Sequence, residues 1–301
     1  MPEKLVTNLY VFRALSDNHC FLLWREGSKK AVVIDPSEEQ PVLSALGRHG
    51  LELGLILNTH HHYDHVDGNL ALQRRFKAPI FCSTFDIQRV PGASRGLNAE
   101  EQVEFLGFEF TVLPTPGHTL GQVAYYFENL RPVNQSSETL AKSAISPGAF
   151  VGDTVFSMGC GRLLEGSADQ MWKSLSRILT LPPSTRLYFG HEYTHLNAPF
   201  AHYIEPENLQ ILERRGRAES ILARHSNEIV PAPSLADELL VNPFLRIADK
   251  NAGVHIRARL GLPTDATDTT DTTDATDTEV FRQLRLLRDN FIPTKNSPSK
   301  Q

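Results

Sequence analysis

One seven-residue run constrains this chain more than any other feature: Thr59-His60-His61-His62-Tyr63-Asp64-His65. It follows the apolar stretch 53–57, which reads as a buried strand, and precedes 69–76, which reads as a helix. The run is therefore a loop at the C-terminal end of a strand. His60 and His62 alternate in an extended segment, so their rings project to the same side, while Asp64 and His65 come from the following turn and face a neighbouring position. Imidazole and carboxylate together suit zinc and other first-row divalent ions. Residue frequencies give a chance match to T-H-x-H-x-D-H in roughly one chain in ten thousand. Three more residues repeat the pattern of a ligand after a strand and beside glycine, where backbone packs closely: His118 in TPGHT, Asp153 in VGDT and His191 in FGHE. His195, His202, His225 and His255 lie in a helical region without ligand spacing and are read as structural.

Around these residues the hydrophobic pattern alternates between strands and helices. Residues 9–12, 19–24 and 31–34 read as a meander turning at 26–28, and 41–49 as a short helix closed by Gly50. Residues 79–82 read as a strand, 103–113 as a hairpin folded at Gly107, and 123–127 and 150–151 as further strands flanking a polar excursion loop over 129–147. Ser167 with Gln170 predicts a capped helix over 167–179, followed by a strand over 185–189. Beyond Tyr193 the pattern is helical, with a helix over 206–225 and a last one over 279–290 that places Val280, Phe281, Leu284 and Leu287 on one face. The expected fold class is α/β: a sandwich over residues 1–185, then a helical domain over 186–301. The tract 264–278, with an aspartate at every third position and no glycine, reads as a disordered acidic linker rather than a calcium-binding repeat.

Charge and composition narrow the partners. The formal charge of −5 excludes a generally basic nucleic-acid binder, and the five aspartates of the 264–278 tract account for all of it. No apolar run approaches the ~20 residues of a membrane span, and the N-terminus lacks a secretory signal. Three cysteines without CxxC spacing point to a reducing, cytoplasmic setting. No heptad or exposed apolar helix suggests self-association, so a monomer is expected.

The set His60-x-His62-x-Asp64-His65, His118, Asp153 and His191 resembles the metallo-β-lactamase superfamily in order and type. That resemblance implies an αββα sandwich and two divalent ions: one held by His60, His62 and His118, the other by Asp64, His65 and His191, with Asp153 bridging. Zinc is the first expectation, with iron and manganese admitted by the same donors. Asp153 stands where true β-lactamases often carry cysteine, which disfavours antibiotic hydrolysis. Further segments, Gly159-Cys-Gly-Arg162, Gly190-His-Glu-Tyr193, Asn242-Pro-Phe-Leu-Arg246 and Arg285-x-x-Arg288-Asp-Asn-Phe291, resemble the glyoxalase II (hydroxyacylglutathione hydrolase) family over nearly the whole chain. The resemblance implies hydrolysis of S-D-lactoylglutathione to D-lactate and glutathione, the second step of methylglyoxal detoxification. In that scheme a metal-bridging hydroxide attacks the thioester carbonyl, and Asp64 and Asp153 are the catalytic residues. Arg162, Tyr193, Arg285 and Arg288 match the family's glutathione contacts, and two arginines one helical turn apart suit the glycine carboxylate. Arg246 is read as a brace. Leu163-Leu164 replace an aromatic–tyrosine pair common in the family, which removes one hydroxyl contact. The nearest rival is an iron-dependent dioxygenase of glutathione persulfide on the same fold; such relatives use one metal and generally lack the arginine-bearing helical domain.

Overall fold

The computed structural model describes residues 6–133, 145–224, 229–264 and 276–292. Strands β1 (Thr7–Ala14), β2 (Asn18–Arg25) and β3 (Lys30–Ile34) form the expected antiparallel meander. Helix α1 (Glu39–His49) stops at Gly50, whose φ of 63° gives the left-handed cap. It leads to β4 (Glu52–Leu57), which lies parallel to β3. A single turn α2 (Tyr63–Val66) and helix α3 (Asn69–Phe76) then precede β5 (Ile80–Ser83) and β6 (Arg95–Leu97), each parallel to the strand before it. Strands β7 (Gln102–Phe105) and β8 (Phe108–Pro114) form the hairpin read around Gly107.

The long strand β9 (Val123–Pro132) joins the two halves of the sheet. Its first half pairs with β8, while Leu130–Pro132 pair in parallel with β1 on the same edge. The opposite edge takes β10 (Ser146–Gly152), which in turn pairs in parallel with β13 (Arg186–Phe189). One strand thus splits a continuous sheet, eleven-stranded among the described residues, into two facing leaves. Phe21, Phe110, Tyr125 and Phe150 fill the space between them, the Phe21 and Phe150 rings meeting edge-on at 4.9 Å. On one outer face Val42 and Leu46 of α1 and Leu72 of α3 pack on Val33 and Ile56. On the other, Met171, Leu175 and Ile178 of α4 (Ala168–Leu179) pack on Ala149, Val151 and Leu187. Each such burial contributes about 1.5–3 kcal/mol, so the four layers define one another. The result is the expected αββα sandwich, and α4 opens with the capping box read from Ser167 and Gln170.

Two boundaries differ from the sequence reading. Residues 129–132 and 146–147, assigned to a polar loop, lie in β9 and β10, because Leu130 is buried and pairs with both Thr7 and Ser146; positions 134–144 of that loop fall outside the described residues. The division at 185/186 would detach β13 from the sheet, although Leu187 and Tyr188 pack into the cores on its two sides.

The small hairpin β11 (Val155–Phe156) and β12 (Gly159–Cys160) precedes α4, and the chain after β13 is helical: α5 (Thr194–Ile204), α6 (Leu209–Arg224), α7 (Leu235–Glu238), α8 (Ala252–Leu260) and α9 (Asp277–Asp289). These helices share a core with the second leaf, since Phe244, Phe281 and Leu284 pack in the cluster that holds Leu175 and Leu187. Most of the acidic tract, 265–275, lies outside the described residues; its end, from Asp277, already belongs to α9, capped by Thr276. Phe281→Ala should cost about 3–5 kcal/mol in a denaturant titration. A loss below about 1 kcal/mol would show that the apolar face of α9 is not docked on the sandwich.

Candidate metal centre

Four strands end on one rim of the sandwich, and every sequence-predicted ligand sits just beyond one of them. His60, His62, Asp64 and His65 follow β4, His118 sits in the turn after β8, Asp153 follows β10, and His191 follows β13. Ligand sites form at such carboxyl ends because connecting loops there are free to carry polar groups. Packing is close enough to demand glycine beside the acids. A Cβ on Gly190 would lie 2.3 Å from Asp153 Oδ1, and one on Gly161 would lie 2.0 Å from the Asp153 carbonyl oxygen.

The side chains converge in two groups. His60 Nε2 and His118 Nε2 each lie 3.1 Å from His62 Nδ1. Donors 2.0–2.1 Å from one tetrahedral ion sit about 3.3 Å apart, so the triangle has the dimensions of a metal site. In the second group, Asp64 Oδ2 lies 3.6 Å from His65 Nε2 and 3.2 Å from His191 Nε2. Both sets are arranged as ion-holding groups. The Asp153 carboxylate stands between them, 3.6 Å from His118 Nε2, 3.5 Å from His191 Nε2 and 3.5 Å from His65 Nε2. His65 Nε2 and Asp153 Oδ1 are buried without a hydrogen-bond partner among the described residues, and both face the centre. Buried polar atoms of this kind are costly unless something compensates them. A donor set of imidazoles and carboxylates is suited to a divalent cation, so the residues fit metal use.

Outside contacts orient the rings. His65 Nδ1 donates to Asp35 Oδ2 at 3.0 Å, His191 Nδ1 to Asp17 Oδ1 at 2.7 Å and His118 Nδ1 to the Arg162 carbonyl at 2.9 Å. Asp35 also receives the Thr59 amide and hydroxyl at 2.7 and 2.6 Å, and Thr59 in turn contacts His60 Nδ1 at 3.1 Å. Each contact fixes the tautomer that presents Nε2 to the centre. Asn18 holds Asp64 through its carboxylate and its carbonyl. Burial and neighbouring imidazoles push His60 well below its ordinary pKa and His62 down to about 4, leaving both neutral. Burial opposes ionisation of Asp153, but His65, His191 and His118 overcome it and take the carboxyl down to about 2. Asp64 likewise lies well below the carboxylate range despite burial, through His191, His65 and Asn18. For His191 burial is outweighed by Asp153, Asp64 and Asp17, raising it to about 11. The surroundings of His65 and His191 thus favour positive charge.

Sequence reasoning missed Asp35, Asp17 and Asn18. Asp35 carried a usable signal, a carboxylate ending the apolar run of β3 beside β4. Asp17 carried none, because its partner lies 174 residues away.

The expected substrate residues gather beside the centre, unequally exposed. Tyr193 stacks on His191 at 4.8 Å, and burial with the nearby carboxylates raises its hydroxyl. Arg162 is exposed. Arg288 is lowered by burial and by Arg285 and Arg162, and it reaches the Leu196 carbonyl at 3.2 Å. Arg285 differs from the expected clamp. It is 5% exposed and donates to the Cys160 carbonyl at 3.0 Å and to Asp289 at 2.8 Å, because its turn of α9 faces the β12 loop. Arg246 donates to the Leu239 and Leu240 carbonyls and to Glu205, which is the bracing role read from sequence.

The sandwich and its rim of histidine and aspartate are those of the metallo-β-lactamase superfamily, whose family model matches residues 15–131. A second model, hydroxyacylglutathione hydrolase C-terminus, matches residues 192–291. Curated hydroxyacylglutathione hydrolases from Methylococcus capsulatus and Rhizobium meliloti are 40% and 38% identical to the chain, covering 92% and 94% of it and 96% and 98% of their own lengths. The chain belongs to the hydroxyacylglutathione hydrolase family. Among solved structures, ETHE1 from Myxococcus xanthus aligns with a TM-score of 0.55 and 26% identity over 84% of this chain and 92% of that one. A Staphylococcus aureus metallo-β-lactamase, at 0.56 and 18% identity over 99% and 76%, shares the fold. Asp35→Asn should lower metal affinity about 10- to 100-fold in competition with a chelator; unchanged affinity would leave Asp35 as a backbone brace only.

Proposed function

We propose that the chain hydrolyses S-D-lactoylglutathione and related 2-hydroxyacylglutathiones to the hydroxy acid and glutathione, the second step of methylglyoxal detoxification. The observation that carries this reading is the juxtaposition of a bilobed histidine–aspartate centre with Arg162, Tyr193 and Arg288 in a chain so similar to curated hydroxyacylglutathione hydrolases. In this reading His60, His62 and His118 hold one ion, Asp64, His65 and His191 the other, and Asp153 both. Zinc is the proposed ion, with iron or manganese suited to the same donors. When bound, the pair lowers the pKa of a water toward neutrality and polarises the thioester carbonyl. A full set for two ions favours this hydrolysis over a one-metal persulfide dioxygenase.

The chain's own groups complete the reaction. Asp64 and Asp153, both ionised, accept hydrogen bonds from the attacking water and orient it, and its proton passes to solvent. The leaving thiolate has a pKa of about 8.5, so it departs without a general acid. Arg162 and Arg288 meet the glutathione carboxylates, where charge-assisted bonds are about twice as strong as neutral ones. Tyr193 donates its hydroxyl to the peptide, and Arg285 works from behind by fixing α9 to the Cys160 carbonyl. We also place the division into two domains after β13, near Gly190, and take the protein to be a cytoplasmic monomer, in keeping with three buried, unpaired cysteines. No helix among the described residues is long and apolar enough to cross a membrane.

Thiol release from S-D-lactoylglutathione by the metal-replete protein tests the reading. Asp153→Ala should reduce kcat by about 100- to 1,000-fold. No release by wild type at confirmed metal content would reject the substrate. Chelation should abolish release and lower the melting temperature, because an ion that binds only the folded state stabilises it by mass action. A melting temperature indifferent to chelator would contradict metal binding at this centre.

A further inference from the structure

His61 lies between two ligand histidines yet turns away from the centre, and its contacts belong to a separate polar chain. Its Nε2 lies 2.6 Å from Arg89 Nη2 and 3.5 Å from Glu165 Oε1, and its Nδ1 lies 3.5 Å from Asp86 Oδ2. A guanidinium only donates, so Nε2 accepts and the ring proton sits on Nδ1, facing Asp86. Asp86 is fully buried, and its Oδ2, like His61 Nδ1, has no other partner among the described residues. Arg89 donates to Glu165 and, at 3.3 Å, to Asp86 Oδ1. The chain therefore links Asp86, His61, Arg89 and Glu165 in alternating donor and acceptor roles.

Glu165 carries this order to the substrate side of the site. Its Oε2 accepts the Leu120 amide at 2.9 Å, and the Leu164 and Glu165 amides donate to the His118 carbonyl at 3.3 and 3.2 Å. The Arg162 carbonyl accepts from the His118 ring. Loop 162–166 is thus tied at one end to a ligand histidine and at the other, through Glu165, to the His61 chain. Arg162, the exposed cation on this loop, has its backbone held, and its side chain makes no hydrogen bond or ion pair among the described residues.

We propose that His61, Asp86, Arg89 and Glu165 form a positioning network that fixes loop 162–166 beside His118 and so sets affinity for the glutathione portion of the substrate. This rests on the proposed reading of Arg162 as a glutathione contact. The four residues act through the loop and touch neither the reacting carbon nor the metal ligands' inward atoms.

The test uses full-length, metal-replete protein with Arg89→Met, Glu165→Gln, the double variant and Arg162→Met. Substrates are S-D-lactoylglutathione and the D-lactoyl thioester of N-acetylcysteamine, which lacks the glutathione carboxylates. Each network variant should raise KM for the glutathione thioester about tenfold, the worth of one charge-assisted bond, while kcat and metal content move less than threefold. The double variant should show about the same tenfold rise, since both changes break one network. The N-acetylcysteamine thioester should be turned over with unchanged kcat/KM. Raised KM for Arg162→Met with no change in the network variants would overturn the network alone. Unchanged KM for Arg162→Met would overturn the substrate contact on which it rests. Metal loss or a fall in kcat at constant KM would instead make these residues braces of the metal centre.

Discussion

The site depends on the burial of acid and imidazole at one point. Asp153, His60, His65, His118 and His191 are each less than a tenth exposed, and their inward atoms, together with His62 Nδ1, meet at 3.1–3.6 Å. Taking such groups out of water costs several kcal/mol apiece without compensation. Compensation comes from outside as well as inside: Asp35 supports Thr59 and His65, Asp17 supports His191, and the Arg162 carbonyl supports His118. These contacts orient the rim's side chains from outside, which is what a site that must hold ions and water at fixed positions requires. Gly161 and Gly190 follow from the same crowding, since a side chain at either would displace Asp153.

The fold delivers these groups by a simple device. Because β9 serves β8 with one half and β1 with the other, the sheet doubles back on itself, and β4, β8, β10 and β13 end on a common rim. Residues from His60 to His191, distant in sequence, thereby meet within a few ångströms. The helices after β13 reinforce the rim from one side. Arg285 ties α9 to β12, and Asn242 Nδ2 donates to the Phe156 and Gly159 carbonyls, so both ends of the β11–β12 hairpin answer to the helical region. The loop bearing Arg162 comes directly after that hairpin.

What the sequence made legible was local. The histidine run, the glycine cap of α1, the Ser167 capping box and the apolar face of α9 depend on residues within a few positions of one another, and all are found as read. Features set by distant partners were not legible. Leu130 sits in a polar stretch yet becomes strand because β1 and β10 receive it. Arg285 and Arg288 look equivalent at i and i+3, but only the first faces the β12 carbonyl, and burial follows from that neighbour. Asp17 ends the β1–β2 turn and Asn18 begins β2, neither in a chemical pattern, and they acquire roles only when the loop after β13 and α2 fold against them.

The arrangement of charge also explains how an acidic chain can receive an anionic substrate. Of the arginines on α9, Arg282 is neutralised by Glu279 and Asp169 on the surface, and Arg285 by Asp289. Arg288 reaches a carbonyl and an amide oxygen, neither of which cancels its charge, and Arg162 lies near enough to disfavour it further. Two cations held this close repel one another, and in the proposed reading a substrate carboxylate relieves that cost when it binds. Leu163 packs against the core and Leu164 is 60% exposed, so neither replaces the hydroxyl absent at those positions. In the proposed reading, recognition of the substrate therefore rests on charge rather than on that hydroxyl.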